Sequence, residues 1–310
     1  MLQKPFLEAR AGKEWNLSDL QILDFTKLLS QASGYANRTM QWSDSNKTVA
    51  LPILERSILG IFSIGFSLPF GFYGGGIGDD VSGDVLIQSL EAVSRKFFFG
   101  LIVQNPFLER ELGRLHKKRV ATSSTLVMDI QGRSIEEIEN KDFDADLRWS
   151  VRKACRSEVD VRVGRDRKIL DDFYYLYELS SLRWGKKNPK YKRSFFDPFE
   201  ASDMMDVYVA YRLSKPISAA IILKLGIQHF YWFGALDKAA SKYYPQSLIL
   251  REALKKASQD GVRHFNFGSS SGHAGVEKFK QSFGAKELKY GHYYFGNRML
   301  SPLIRYAYRK

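Results

Sequence analysis

Two short stretches of the C-terminal half decide the fold: HFYWFG at residues 229–234 and HFNFGSSSGHAGVEKFKQSFG at residues 264–284. In the first, aromatic and apolar residues run without interruption into a glycine, as expected of a strand that is buried on both faces. In the second, polar and aromatic residues alternate as far as Gly268, which predicts a strand that leads into a serine-rich turn. The sequence after the turn predicts a helix from about Ala274 to Phe283, with Val276, Phe279 and Phe283 on its inner face.

Further elements extend this pattern on both sides. Pro245 opens a predicted helix between the two stretches, and Lys286 to Phe295 supplies a last strand. The unit therefore runs strand, helix, strand, helix, strand. The same order is predicted earlier in the chain, where a strand ending at Phe72, a helix from about Ser82 and a buried strand from Phe97 to Val103 follow one another. This repetition predicts two related α/β domains.

The order and spacing of the C-terminal motifs resemble those of the Fem family of acyltransferases. Its motif Gly-x-x-x-Phe-Lys-x-x-Phe-Gly is present here as Gly275, Phe279, Lys280, Phe283 and Gly284. Fem proteins are two-domain acyltransferases of the GNAT fold and include the peptidoglycan transferases that depend on aminoacyl-tRNA. The resemblance implies an α/β (α+β) fold with two tandem GNAT-like acyltransferase domains, each a mixed central sheet flanked by helices.

The resemblance also implies that one domain binds the acceptor and the other binds the donor. Residues 1–145 are expected to form an N-terminal GNAT-like domain on the acceptor side. Residues 146–310, which include a linking basic helix, are expected to form a C-terminal GNAT-like domain on the donor side.

Composition and charge restrict the partners and the compartment. The chain carries 47 lysines and arginines against 34 aspartates and glutamates, a formal charge of +13. Such a balance favours polyanionic partners, which include tRNA, nucleotide-linked substrates and an anionic membrane surface, although it equally serves solubility. A single cysteine, Cys155, excludes an intramolecular disulfide and suits a reducing compartment. Charges occupy the place where a signal peptide needs an apolar core, so we expect a cytoplasmic protein.

An uncharged run from Ser57 to Gly78 is long enough to cross a bilayer. Pro69 and repeated glycines interrupt it, so two buried strands joined by a turn explain it better and we expect no transmembrane span. Its glycines at 74, 75, 76 and 78 lie between a strand and a helix, where GNAT domains hold the pyrophosphate of coenzyme A. No lysine-serine pair follows them, which excludes a P-loop.

Lys280 is the first candidate for catalysis. Acyl transfer to an amine needs a held donor carbonyl, a neutral amine, and positive charge or amide donors for the oxyanion. Lys280 matches the lysine that Fem transferases use near the donor ester, so the resemblance implies this role. The alternative is an exposed helix pair with Glu277, three residues earlier. Phe279 either orients the donor or fills the core.

A basic helix follows the predicted domain boundary. Arg148, Arg152 and Arg156 fall four residues apart, with Lys153 beside them. Arginine forks match phosphate oxygens, so this face is a candidate to bind phosphates of an acceptor or of tRNA. The resemblance supports the interpretation because Fem-type proteins carry a similar helix here. A solvated helix face explains the same pattern.

A second basic candidate is the loop from Gly185 to Arg193. Its lysines are interleaved with Trp184 and Tyr191, whose rings are suited to stack on a base. A plain surface loop explains the pattern equally well. Further along the chain, two strands are predicted to form a hairpin around Ser214-Lys215-Pro216.

The serine-rich turn completes the candidate site. Ser269 and Ser270 offer donors there, and Tyr231 lies on the strand that leads to the cleft, so all three are candidates for substrate binding. His273 is a candidate base, although loop polarity also explains it. The serines lack the Gly-x-Ser-x-Gly elbow and the five histidines show no metal spacing. We therefore predict direct attack by the acceptor amine, with no covalent enzyme intermediate and no metal.

These observations together predict an N-acyltransferase that acts on an amine of a nucleotide- or lipid-linked cell-envelope precursor, of peptidoglycan or polysaccharide. Its donor is aminoacyl-tRNA or an acyl-CoA, and no cofactor is expected to stay bound. The loop from Leu236 to Gln246 lacks the Gln/Arg-x-x-Gly-x-Gly/Ala pattern of CoA-binding GNAT enzymes, which favours the first donor. Two alternatives stay open: an acetyl-CoA-dependent acetyltransferase of exopolysaccharide biosynthesis, and a non-catalytic RNA- or envelope-binding protein that keeps the fold. The oligomeric state is left open as well.

Overall fold

A computed structural model divides the chain into two compact units, residues 1–124 with 289–310, and residues 125–288. The predicted separation of an acceptor side from a donor side between residues 145 and 146 stays a prediction. The predicted helix from about Ser82 falls largely outside the described residues. The residues that the structure describes are 2–5, 17–44, 47–58, 62–78, 93, 96–107, 119–270 and 272–296.

The elements are named here in chain order. The described helix and strands up to Asp129 are β1 (Leu2–Pro5), α1 (Leu17–Ser33), β2 (Ala36–Asn37), β3 (Met40–Asp44), β4 (Lys47–Leu51), β5 (Leu54–Ile58), β6 (Phe62–Ser67), β7 (Ile77–Gly78), β8 (Phe99–Val103) and β9 (Arg119–Asp129). Those after it are α2 (Ile135–Lys141), α3 (Ala145–Arg156), β10 (Asp160–Gly164), α4 (Arg167–Arg183), α5 (Asp197–Glu200), β11 (Met205–Arg212), β12 (Lys215–Leu225), β13 (Gln228–Leu236), α6 (Pro245–Gln259), β14 (His264–Asn266), α7 (Ala274–Gln281) and β15 (Lys286–Gly296). Two 3-10 helices cover Arg193–Phe196 and Lys238–Tyr243.

The first unit contains two sheets. One has the order β1-β3-β4-β7 with antiparallel neighbours. In the other, β2, β5, β6 and β8 lie side by side, β6 and β8 run parallel, and the end of β15 pairs antiparallel with β8. The described part of the uncharged run from Ser57 to Gly78 therefore forms strands and turns. Among the described residues, no helix has the length and apolar character that crossing a bilayer requires.

The second unit is built on one mixed sheet with the order β10-β11-β12-β13-β14-β9. Its neighbours are antiparallel except β13 and β14, which are parallel. The hairpin of β11 and β12 turns at Leu213 and Ser214, so the prediction of a turn at 214–216 was one position late. Pro216 instead lies in β12, where it pairs with Tyr211 next to a register shift that tolerates proline.

Helices flank this sheet, and their starts are set by local side chains. Asp144 accepts a hydrogen bond from the Leu147 amide at the start of α3, and Asp166 caps α4 in the same way. Such caps stabilise a helix by about 1 kcal/mol each. A core of buried side chains from α2, α3, α6, the central strands and Phe283, just after α7, joins the helices to the sheet. Phe267 and Phe283 are fully buried in that core, at a ring distance of 5.2 Å.

Candidate active site

The candidate site lies where β13 and β14 stop pairing. The two strands are in register from Gln228 opposite His264 to Phe230 opposite Asn266, where β14 ends. On its other edge β13 carries a bulge: Ile221 faces Phe233 and Ile222 faces Tyr231, so Trp232 is the extra residue. A bulge re-aims the side chains around it. The strands therefore open into a wedge from Tyr231 onward.

The end of β14 is held by one buried asparagine. Asn266 is fully buried, and its Oδ1 accepts hydrogen bonds from the Gly268 amide at 2.9 Å and from Thr125 Oγ1 at 2.7 Å. Its Nδ2 donates to Gln228 Oε1 at 2.9 Å. Gly268 follows with a φ of 71°, a conformation that favours glycine. The turn after β14 is thus fixed from inside the protein.

Lys280 lies beneath this turn. Its side chain is 4% exposed, and Nζ donates to the carbonyl oxygens of Gly268 at 3.1 Å and Ser269 at 2.9 Å. No carboxylate of the described residues forms an ion pair with it, and burial lowers its pKa to about 8. The alternative of an exposed pair with Glu277 was therefore wrong, because the lysine points inward. At neutral pH this group is a buried cation with one N–H still free to donate.

Tyr231 faces the same place from β13. The Lys280 ammonium lies 5.9 Å from the centre of its ring. Gln246 Nε2 donates to Tyr231 Oη at 3.0 Å, and Gln246 Oε1 accepts from Ser218 Oγ at 2.6 Å. Burial raises the pKa of Tyr231, so the phenol keeps its proton. None of the described residues accepts that proton, which is therefore available to a substrate.

The space for this phenol exists because residue 234 is glycine. A Cβ at Gly234 would lie 1.8 Å from Tyr231 Oη. Ser218 and Gln246 were missed by the sequence analysis. Gln246 directly follows the predicted helix opening at Pro245, which is a usable signal, but no pattern on β12 distinguishes Ser218 from any other buried strand residue.

The remaining residues of the turn and of α7 have separate positions. Ser269 is exposed, whereas the Ser270 hydroxyl oxygen is buried with no hydrogen-bond partner among the described residues. Phe279 is half-buried and packs edge-to-face on Phe283 at 5.4 Å, consistent with a place in the core. Val276, expected on the inner face of α7, is 44% exposed. Lys280 occupies the inner position instead, because its ammonium donates hydrogen bonds there to the carbonyl oxygens of Gly268 and Ser269.

The basic helix α3 divides into two parts. Arg148 donates from Nη1 to the carbonyl oxygens of Phe143 and Glu139, which ties that nitrogen to the end of α2, and its binding to phosphate stays a prediction. Arg152 and Arg156 are exposed. Lys153 has its Nζ 4.8 Å from the ring centre of Trp149 and 5.0 Å from that of Tyr244. Trp149 and Tyr244 were missed, since their proximity depends on the packing of α3 against α6.

Some residues of the second basic candidate, the loop from Gly185 to Arg193, are engaged in contacts within the protein. Arg193 pairs with Asp171 at 2.7 Å, Asp197 at 2.6 Å and Glu200 at 2.7 Å, and Tyr191 stacks on Phe195. One face of the Tyr191 ring is therefore covered by Phe195, and stacking of this ring on a base stays a prediction. Trp184 is 52% exposed at the end of α4 and contacts Tyr177 and Arg183. It does not contact Lys280 or α3 within the described residues.

The residues between β13 and α6 do not suit the pyrophosphate of coenzyme A. They form a 3-10 helix, and their backbone amides bond within the chain: Ala239 to Asp237 Oδ1, Ala240 to the Asp237 carbonyl, and Tyr244 to the Ser241 carbonyl. Pro245 removes the amide at the start of α6. Few free amides are left there to cradle a phosphate.

The glycines after β6 also have a packing role. A Cβ at Gly74 would lie 1.8 Å from Ser67 Oγ, and one at Gly78 would lie 2.1 Å from the Thr48 carbonyl oxygen. The amides of Gly74 and Gly75 donate to Val103 and Ser67. These contacts explain Gly74, Gly75 and Gly78 without a phosphate.

Known proteins share the fold of this chain. Residues 141–281 match the model of the family described as an acetyltransferase (GNAT) domain. The structure is similar to that of FemX, with a TM-score of 0.72 and 13% identity over 99% of this chain and 100% of that chain. It is also similar to the C-terminal domain of a putative lysylphosphatidylglycerol synthetase from Agrobacterium fabrum, with a TM-score of 0.63 and 14% identity over 94% and 95% of the two chains. A tandem GNAT protein from the clavulanic acid biosynthesis pathway gives a TM-score of 0.52 at 8% identity over 94% and 97%. No curated protein is detectably similar in sequence.

These likenesses confirm the predicted fold class, a mixed α/β architecture of tandem GNAT-like domains similar to the Fem fold. The domain match confirms the prediction of an acyltransferase. The roles of the individual site residues stay predictions.

Proposed function

We propose that this protein is a cytoplasmic N-acyltransferase that transfers an aminoacyl or acyl group to an amine of a cell-envelope precursor by direct attack. The observation that carries the proposal is the buried Lys280 ammonium, which lies beside the Tyr231 phenol where β13 and β14 diverge. Both groups are donors that keep an N–H or O–H without an acceptor among the described residues. Acyl transfer needs such donors where negative charge develops.

The reaction balances without a covalent enzyme intermediate. The acceptor nitrogen bonds to the donor carbonyl carbon, and an oxyanion forms. Its collapse breaks the bond to the leaving oxygen, or sulfur for a thioester, and the proton lost by the amine ends on that leaving atom. The Lys280 cation offsets the oxyanion charge, and the Tyr231 hydroxyl donates to the oxyanion or to the leaving atom. Removing one such donor lowers kcat by about 100- to 1000-fold.

We favour aminoacyl-tRNA over an acyl-CoA as donor. The backbone amides before α6 support this choice. Because they donate hydrogen bonds within the chain, few of them are free to bind a pyrophosphate. The formal charge of +13 suits a polyanionic donor. The FemX and lysylphosphatidylglycerol synthetase structures share the fold, and their names suggest envelope substrates for this chain as well. An acyl-CoA donor is the alternative, since GNAT acyltransferases use acyl-CoA as a co-substrate.

The first test is a pair of affinity titrations of the purified chain, with a charged tRNA and with acetyl-CoA, each at low and high salt. We expect tRNA binding that weakens as salt rises, and no saturable CoA binding. Saturable CoA binding without tRNA preference would replace the proposal by a CoA-dependent acetyltransferase.

A second test addresses the chemistry. With the donor that binds, transfer to a panel of amine acceptors is measured for wild type, Lys280→Met and Tyr231→Phe, with Lys278→Met as the matched control because Lys278 is an exposed lysine of the same helix. We expect both site variants to lose at least 100-fold in kcat with little change in KM, and the control to be unaffected. Full activity of Lys280→Met removes Lys280 from the mechanism. No transfer by wild type with either donor favours a non-catalytic binding protein.

A further inference from the structure

The tip of the β11–β12 hairpin carries an exposed leucine in an unfavourable conformation. Leu213 and Ser214 form its two-residue turn, with φ of 49° and 60°. Turns with positive φ at both positions favour Asn, Asp and Gly. Leu213 is nevertheless 71% exposed, the highest value among the described exposed large hydrophobic residues. Neither the turn nor the core explains this leucine.

Cations and aromatic rings adjoin the hairpin tip. The Arg212 guanidinium lies 4.3 Å from the ring centre of Tyr243, and Lys242 lies 5.2 Å from the same ring. Arg212 Nε also donates to the carbonyl oxygen of Ser157 at 2.9 Å, which brings the tip to the C-terminal end of α3. The hairpin, the 3-10 helix before α6 and α3 therefore form one continuous surface.

The same surface continues along α3. Trp149, 47% exposed, packs edge-to-face on Tyr244 at 5.3 Å, and the Lys153 ammonium lies over both rings. Arg152 and Arg156 are exposed on the same helix. Glu158, just beyond the helix, is an exposed carboxylate among these cations.

The cations of this surface have no carboxylate partner among the described residues. Within the described residues, Arg152, Lys153, Arg156, Arg212 and Lys242 form no ion pair. Many other arginines of the second unit do, namely Arg133, Arg162, Arg165, Arg167, Arg193, Arg251 and Arg263. Unpaired cations grouped around exposed apolar and aromatic side chains favour an external anion that also offers apolar contact.

We propose that Trp149, Arg152, Arg156, Arg212, Leu213 and Lys242 form a docking surface for a membrane with anionic phospholipid headgroups. Leu213 inserts at the level of the acyl boundary, Trp149 lies at the interface, and the cations contact the headgroup phosphates. A nucleic acid would use the cations and the indole but would gain nothing from a leucine at a turn tip. The exposed Leu213 therefore favours a membrane over a nucleic acid as the ligand of this surface.

The docking surface borders the candidate active site. Tyr244, which packs edge-to-face on Trp149, caps the start of α6, and Gln246 two residues later donates to Tyr231 Oη. A membrane bound here lies beside the wedge between β13 and β14. The proposal does not require the proposed acyl transfer, and its test measures binding alone.

The test is co-sedimentation of the full chain with two kinds of vesicle, pure phosphatidylcholine and equal parts of phosphatidylcholine and phosphatidylglycerol. We expect binding to the anionic vesicles that weakens with salt. Leu213→Asn should reduce the partition coefficient about tenfold, since a leucine side chain leaves the interface. Arg152→Glu with Arg156→Glu should reduce it about 25-fold or more, at roughly fivefold for each lost cation.

Matched controls separate docking from general effects. Asn is favoured at positive φ, so Leu213→Asn should keep or raise the thermal midpoint, which excludes misfolding as the cause. Leu182→Asn removes another exposed leucine, 61% exposed on α4, and should leave binding unchanged. The proposal is overturned if wild type ignores the anionic vesicles, or if Leu213→Asn binds as wild type does or no worse than Leu182→Asn. It is also overturned if a single-stranded RNA probe binds through Arg152 and Arg156 while the vesicles do not.

Discussion

Replacement of Lys280 by methionine tests whether the fold holds a charge at a cost in stability. Methionine has a similar length and no charge, so it keeps most of the packing of this 4% exposed side chain. It loses the two hydrogen bonds to the carbonyl oxygens of Gly268 and Ser269. Removing the charge raises stability, whereas losing the hydrogen bonds lowers it. Only the effect of the charge depends on pH, so measurements at several pH values distinguish the two.

The magnitude follows from the pKa. Burial lowers the pKa of Lys280 from 10.5 to about 8. A tenfold change in proton affinity corresponds to ~1.4 kcal/mol, so the protonated lysine destabilises the fold by about 3 kcal/mol below pH 8. Between these two pKa values the unfolded chain binds more protons than the folded chain. Stability of the wild type therefore rises with pH in this window, and the penalty disappears above the unfolded pKa.

The lost hydrogen bonds reduce the benefit of removing the charge. They offset about 1–2 kcal/mol, which leaves the methionine variant more stable by about 1–2 kcal/mol at neutral pH. Urea unfolding at steps from neutral pH to about pH 10 measures this difference. We expect the advantage to shrink by ~1.4 kcal/mol for each step of one pH unit above pH 8, and finally to reverse.

The control and the refuting result are both specific. Lys278→Met changes an exposed lysine of the same helix and should show no pH-dependent difference from wild type. If Lys280→Met is instead less stable by the same amount at every pH, the pKa of Lys280 is not lowered. The lysine would then act as a clamp for the turn after β14, without a stability cost from its charge.

Three further predictions concern groups around the site and sheet. Gly234→Ala brings a Cβ to 1.8 Å from the Tyr231 hydroxyl. It should lower the stability measured by thermal unfolding by about 1–3 kcal/mol. The double variant with Tyr231→Phe should lose less stability than Gly234→Ala alone, and a larger loss would contradict the clash. Asn266→Ala leaves the buried Gly268 amide without its acceptor and should cost about 2–4 kcal/mol, with faster exchange of that amide; unchanged exchange would contradict the network. His229, whose pKa burial lowers to about 4, stays neutral in the fold while the unfolded chain protonates, so stability should fall by about 3 kcal/mol as pH drops from 6.5 to 4. His229→Asn should flatten that decline in acid unfolding, and a decline of unchanged steepness would assign it to another group.

The architecture of the second unit was predictable because its signals are local. The aromatic run of β13 and the Pro245 opening of α6 fix element types within a few residues, and the motif around Lys280 indicates a family. The register shift at Trp232 was not predictable, since a bulge depends on how β12 pairs with β13. Ser218 joins the site through that same pairing, and Gln246 reaches it from α6, so no single-strand pattern encodes their contact.

The sequence did not predict the partners of Lys280 and Arg148, for one physical reason. A lysine three residues after a glutamate has the same spacing whether it is exposed or buried, and the carbonyls that turn Lys280 inward belong to a different element. Arg148 likewise fits a basic face by spacing, yet the carbonyls at the end of α2 hold its guanidinium. Periodicity shows where a side chain leaves its helix, and tertiary partners determine what it does there.

The left-handed residue Tyr244 connects the chemistry of the site with the docking surface. Its φ of 55° is an unfavourable conformation for a tyrosine, so the surrounding contacts must hold it. Those contacts are Trp149 and Lys153 on α3. The same turn begins α6 and so orients Gln246, which aims the Tyr231 phenol. Because one strained residue belongs to both, a change in α3 that releases Tyr244 should alter the position of the Tyr231 phenol as well as the proposed docking surface.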